Sequence, residues 1–209
     1  MGRSELAPKV KATYQAVIQL LVEGADLNNL TVSEITGRAG IGKGTVYDYF
    51  SNKEEMIAGA LFYEMENSCQ NLYRQMRQEK RLFDKINLIL DCMEKQMAEI
   101  SCFARMIHVM MDNSVIGCKL REMVKNKDDD EMLIVDLIRQ IIVDEMENME
   151  ELPEVEKSYL VMTVFSRILC FAMYQLDVKK MTGLDSSTMR EMICRDVCKS
   201  VESYKEEKY

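Results

Sequence analysis

The sequence predicts an all-α protein, and three observations carry that reading. Nine glycines and two prolines in 209 residues supply too few turn formers for a many-stranded sheet. Apolar residues recur at the 3.6-residue period between capping residues, and both prolines stand where a helix would begin. With 47% hydrophobic and 30% charged residues and a net charge of −8, the chain is neither disordered nor fibrous and can bury its own core.

The elements follow in order. Pro8 suits the first turn of a helix over 8–23, whose inward face is Tyr14, Val17, Ile18 and Leu21 and which Gly24 ends. Thr31-Val32-Ser33-Glu34 has the form of a capping box and opens a two-turn helix that closes near Gly40. Gly40-Ile41-Gly42 makes a tight turn into a third short helix over 43–50, with Val46 and Phe50 inward. A second box, Ser51-Asn52-Lys53-Glu54, starts a long helix over 52–78. Further helices are expected over 81–99, 101–112, 121–149, 153–179 and 186–206, the last capped by Asp185 after a break at Gly183, which gives nine helices in all. Residues 159–176 are apolar nearly all round, yet Arg167 at their centre would cost about 2.5 to 3.5 kcal/mol in a bilayer, so a buried helix is expected there.

Charge divides the chain in two. Residues 1–53 hold six of the nine glycines and a net charge of +1, whereas 54–209 carry −9. A small domain (1–53) and a larger helical domain (54–209) are therefore expected. Seven cysteines, an odd number without CxxC pairs or companion histidines, argue against a disulfide framework or a zinc site, and no metal or cofactor is implied. No secretory leader is visible and Leu6 stands where a myristoylation motif needs Ser or Thr, so a cytoplasmic protein without a membrane partner is expected.

Two short helices joined by a glycine-containing turn are the helix-turn-helix unit, whose second helix enters a DNA major groove. Spacing alone is a moderate signal. The residues sharpen it: Ile35, Ala39-Gly40-Ile41, Lys43-Gly44-Thr45, Tyr47-x-Tyr49-Phe50 and Ser51-x-Lys53-Glu54 together resemble the DNA-binding signature of the TetR family of bacterial transcriptional regulators. The resemblance covers about the first 61 residues; the remainder shares only the general helical layout. It implies a three-helix DNA-binding domain followed by a helical bundle that binds a ligand and forms a homodimer.

Eight residues are candidates for DNA contact: Thr31, Gly42, Lys43, Gly44, Thr45, Tyr47, Tyr49 and Lys53. Small residues at a helix start let backbone N–H groups approach phosphate, Lys43 and Thr45 can reach phosphate or base edges, and Lys53 matches the family's phosphate-clamping lysine. Thr31 could equally serve as a cap alone, and Tyr49 as core beside Phe50. Ile35, Ala39, Ile41, Val46 and Phe50 are assigned to packing, and Asp48 is expected to turn away from phosphate.

In the larger domain the resemblance places the dimer contact on the last two helices, with Phe165, Ile168, Met189, Met192 and Ile193 as candidates; burial within one chain is the alternative. Eighteen methionines suit an adaptable ligand cavity or simply ordinary packing. The ligand candidates are Met65, Met93, Met97, Met111 and Met162, with Arg105 or the lone His108 as polar contact and Tyr63, Tyr159, Tyr174 and Arg167 as further polar groups. The resulting expectation is a homodimeric repressor of a palindromic operator, released by a small apolar or amphipathic effector. An effector-independent DNA-binding structural or interaction protein is the alternative. An enzyme finds no support: there is one histidine, no nucleophile elbow and no Glu-x-x-His pair.

Overall fold

The computed structural model describes residues 6–98, 109–146, 152–175 and 183–206. Among them the regular elements are helices only: α1 (Pro8–Val22), α2 (Val32–Ala39), α3 (Lys43–Val46), α4 (Lys53–Met76), α5 (Leu82–Ala98), α6 (Val115–Lys125), α7 (Ile134–Glu145), α8 (Glu154–Met173) and α9 (Ser186–Glu206). Residues 109–111 are also helical, within the helix expected over 101–112, most of which lies outside the described residues. No described helix is long and apolar enough to cross a membrane.

Local chemistry explains the boundaries. Pro8 occupies the first helical position, Gly24 adopts φ +95° just past the end of α1, and Gly183 adopts φ +65° before α9. Asp185 caps α9, accepting from the Thr188 N–H at 2.9 Å and from the Ser187 and Thr188 hydroxyls, which hold its carboxyl well below the usual carboxylate range.

Three expectations are corrected. The helix expected over 121–149 is two. Ser114 starts α6 by accepting from the Gly117 N–H at 3.1 Å, and the acidic run 128–131 bends into a turn instead of stacking like charges on one helix face. The Glu131 carboxylate closes that turn by accepting from the Asp128 N–H at 2.8 Å, and Asp136 then starts α7 by accepting from the Leu133 N–H. The box before α4 is shifted by one residue: Asn52, not Ser51, is the cap, accepting from the Glu55 N–H at 2.9 Å, while Glu55 rather than Glu54 reaches back to the Ser51 N–H at 2.7 Å. The third helix is regular only to Val46, and residues 47–50 follow as hydrogen-bonded turns that lower Phe50 into the core.

The chain forms two compact units, residues 1–67 with 96–131 and residues 68–95 with 132–209. In the first, Val46, Phe50 and Met56 form a core against which Val10, Tyr14 and Val32 pack. The Tyr14 ring lies 5.7 Å from those of Phe50 and Tyr63, and its hydroxyl rests on Gly59, where an added Cβ would come within 2.4 Å of the oxygen. Burial pushes the Tyr14 hydroxyl up to about 12, and the charge of Glu55 adds to the shift.

In the second unit α8 packs against α7 and α9, burying Leu160, Val161, Val164, Ile168 and Phe171. Arg190 of α9 binds Asp91, Glu94 (2.8 Å) and Asn87 (2.9 Å) of α5. Ser186 donates to Glu94 at 2.6 Å and, ahead of Arg190, holds that carboxyl below its ordinary range. Lys85 pairs with Glu145 at 2.7 Å, both nearly buried.

Candidate nucleic-acid interface

The head is built from α1, α2, α3 and the start of α4. Thr31 and Glu34 form the expected reciprocal cap: the Thr31 hydroxyl accepts from the Glu34 N–H at 3.2 Å, and the Glu34 carboxylate accepts from the Thr31 N–H at 2.8 Å and hydroxyl at 2.6 Å. Gly40 turns the chain out of α2 at φ +67°, a left-handed conformation that glycine adopts without strain, and the Ile41 N–H closes the turn on the Thr36 carbonyl at 3.0 Å. Gly42 then leads extended into α3.

The apolar side of this turn is the seat. Ile35, Val46 and Phe50 are buried, and Ala39 and Ile41 are half-buried. The opposite side is polar and open: Gly42, Lys43, Gly44, Tyr47, Asp48 and Tyr49 are all exposed, with Thr45 half-buried. Tyr47 and Tyr49 are 53% and 42% accessible, so neither ring belongs to the core and both phenols face solvent. A Cβ at Gly44 would meet nothing within 4 Å, so the packing of this chain does not require glycine there. Lys53, at the first turn of α4, donates to the Asn28 carbonyl at 3.0 Å and so ties the α1–α2 loop to α4. That loop is itself set by Asp26, which accepts from the Asn28 N–H at 2.9 Å and from Asn29. Arg38, which the sequence reading passed over, is bidentate to Glu23 at 2.5 and 2.6 Å, joining α2 to the end of α1.

The ligand and dimer candidates differ widely in exposure among the described residues. Met65 is half-buried, Met93 is buried, and Met111 and Met162 are 77% and 53% accessible. Arg105, His108 and the side chain of Met97 lie outside the described residues. Tyr174 is buried with its hydroxyl on the Leu184 carbonyl at 2.7 Å, which fixes the end of α8. Tyr63 does line a cleft. It is a cavity of about 580 Å³ within the first unit, bounded by α1, the first half of α4, α6 and the turn after it. Of the dimer candidates, Ile168 and Ile193 are buried within the chain, Phe165 and Met189 are half-buried and Met192 is exposed. Sequence reasoning missed the outward stripe of α8, namely Val155, Tyr159 and Met162 and, beyond the exposed Ser166, Cys170 and Met173, whose spacing by threes and fours becomes readable once Ser166 is placed on the same face.

A glycine-turned helix pair with an apolar seat and a polar outer face, heading a set of helices, is the architecture of a helix-turn-helix DNA-binding regulator. Residues 21–60 match the family described as bacterial regulatory proteins, tetR family. Solved structures extend the likeness across the fold. The fatty acid degradation regulator FadR of Bacillus halodurans is 19% identical, covers 93% of this chain and 96% of its own, and superposes with a TM-score of 0.60. FadR of Bacillus subtilis, in complex with stearoyl-CoA, is 15% identical over 91% of this chain and 96% of its own, with a TM-score of 0.57. FadR of Thermus thermophilus, a TetR family repressor in complex with lauroyl-CoA, is 14% identical over 91% and 94%, with a TM-score of 0.61. No curated protein matches the sequence.

Proposed function

We propose that this protein is a cytoplasmic, homodimeric repressor that reads a palindromic operator through residues 1–53 and is released when residues 54–209 bind a small apolar or amphipathic molecule. The observation that carries the reading is the outer face of the turn and third helix. Lys43, Tyr47 and Tyr49 project from a buried seat, and Gly44 is small where nothing in the chain needs it to be small. A missing side chain at such a point suits the close approach of a groove or phosphate. Thr31, Gly42, Thr45 and Lys53 complete the contact set; an ammonium has three donors, so Lys53 can hold Asn28 and still meet phosphate. The negative body disfavours non-specific binding, leaving recognition to two heads acting together.

The outward stripe of α8, extended by Met192 of α9, supports a two-fold helix pairing, with Tyr159, Met162 and Met173 more exposed to a partner than Ile168 or Ile193. Acyl-CoA in two of the similar structures supports an amphipathic effector for a chain of this fold.

The test is site selection from random duplex DNA with the purified chain, followed by anisotropy titrations on the selected operator. Lys53→Ala should weaken binding alike on all sequences and lower the salt slope by about one unit, whereas Lys43→Ala and Thr45→Ala should change the preferred bases. Recovery of no enriched sequence, or an unchanged salt slope for Lys53→Ala, would overturn the assignment.

A further inference from the structure

Resting on the effector-released reading above, we propose that the cleft of the first unit is the effector site and that it takes an organic cation, an amine or quaternary ammonium compound with an apolar body. Three features of the cleft lead there.

The first is size. About 580 Å³ lies within the range of small-molecule pockets and far exceeds what a bare metal ion would fill. The second is the aromatic wall. Tyr14, Phe62 and Tyr63 line the cleft, with Phe62 buried and the two tyrosine rings in contact at 5.7 Å. Aromatic faces attract cations, most strongly where water is excluded.

The third is charge. Six carboxylate side chains and two lysines line the cleft. One of the six, Glu66, is only 3% accessible, a depth at which glutamates are rarely found. Glu122, Asp128 and Asp130 stand exposed at the rim. Lys127 is turned to its own loop, donating to the Glu131 carbonyl at 3.0 Å, which leaves Lys119 as the other basic group on the wall. A concave wall with an excess of one sign concentrates the opposite charge. The phosphates of an acyl-CoA would be repelled here, so this lining separates the chain from the ligands seen in the similar structures.

The position couples the site to DNA reading. Tyr14 belongs to α1 of the head, and its hydroxyl rests on Gly59 of α4. An occupant between Tyr14, Tyr63 and Met123 of α6 therefore touches the head and its support at once, and its binding energy differs between head positions.

The experiment uses the full chain and two isosteric probes, phenyltrimethylammonium and neutral tert-butylbenzene, titrated by calorimetry and in competition with operator DNA at constant ionic strength. The cation should bind at least about tenfold tighter than its neutral isostere, a difference within the reach of cation–π and carboxylate contacts in a shielded site. It should also weaken operator binding, and Tyr63→Ala and Glu66→Gln should each reduce its affinity several-fold. Should Glu66→Gln fail to fold, as helical circular dichroism would show, the rim double variant Glu122→Gln/Asp130→Asn carries the same test. Equal affinity for the two probes, or equal competition by magnesium chloride, would overturn the organic-cation assignment. Cation binding that none of these variants alters would overturn the site. Release of operator by some other compound, with no response to the cation, would sink this inference while leaving the repressor reading intact. Operator binding that no ligand changes would remove the reading on which the inference rests.

Discussion

The head and the second compact unit solve opposite surface problems. In the head the core is small and the ionic tie is exposed, Arg38 to Glu23, so the polar face that remains is available to an outside partner. In the second unit polar groups are drawn inward: Arg190 gathers Asp91, Glu94 and Asn87, and Lys85 meets Glu145 with little water. Among its exposed charges, such as Glu191 and Arg195, that unit also leaves an apolar stripe outside, from Val155 to Met173. A surface that reads nucleic acid keeps its charges and hydroxyls in water until they are needed, whereas a surface that pairs with a copy of itself leaves its apolar groups uncovered in the single chain.

The comparison breaks most severely if the apolar stripe is charged. Tyr159→Glu/Met162→Glu should convert the proposed dimer to monomers in sedimentation with the helical content intact, since both side chains are exposed in the single chain. Operator affinity should fall by about 100-fold or more as bivalent binding is lost. A variant that stays dimeric would move the contact to another face. A smaller effect compares the two arginines. Arg190→Ala removes a mostly buried cation that ties α9 to Asp91, Glu94 and Asn87 of α5 and, with the carboxylates partly open to water, should cost about 1 to 2 kcal/mol in urea unfolding, whereas Arg38→Ala removes a solvent-exposed pair and should leave the midpoint nearly unchanged. Equal losses would mean that the head depends on its ionic tie as much as the second unit does.

How much of this was legible depended on whether the signal was local. The Thr31–Glu34 box, Pro8, Gly24, Gly40 and Asp185 act within one turn of the chain, and each was found where its chemistry placed it. The seat of the head was legible through the resemblance of residues 31–61, because the left-handed turn at Gly40 and the buried Ile35, Val46 and Phe50 each constrain the residue type at their position. The break between α6 and α7 was not, because a run of acids continues the helical period while the turn depends on where the Glu131 and Asp136 carboxylates reach back. The shift of the α4 cap has the same origin: Ser51 and Asn52 are both competent caps, and only the descent of Phe50 into the core selects the second. The cleft was least legible. Its wall is assembled from α1, α4 and α6, far apart in sequence, and of Tyr63, Tyr159, Arg167 and Tyr174 only Tyr63 lines it.

The smallest expected effect sharpens the comparison from the side of pH. Tyr14 is the head residue whose ionisation is most disturbed, raised from 10.0 to about 12 by burial first and by Glu55 second. A raised phenol pKa means that the folded chain holds the proton more tightly than the unfolded one. Its contribution is therefore complete below pH 10 and is lost as pH rises through about 12. Tyr14→Phe should remove that alkaline slope while leaving stability near pH 7 almost unchanged, because Tyr14 is held by ring packing against Phe50 and Tyr63 and by the fit of its hydroxyl over Gly59. Urea midpoints measured from pH 8 to pH 11 for the parent and the variant would show it. A parent curve that declines no more steeply than that of Tyr14→Phe would mean that the phenol is solvated in the native state and that the α1–α4 crossing is looser than its packing implies.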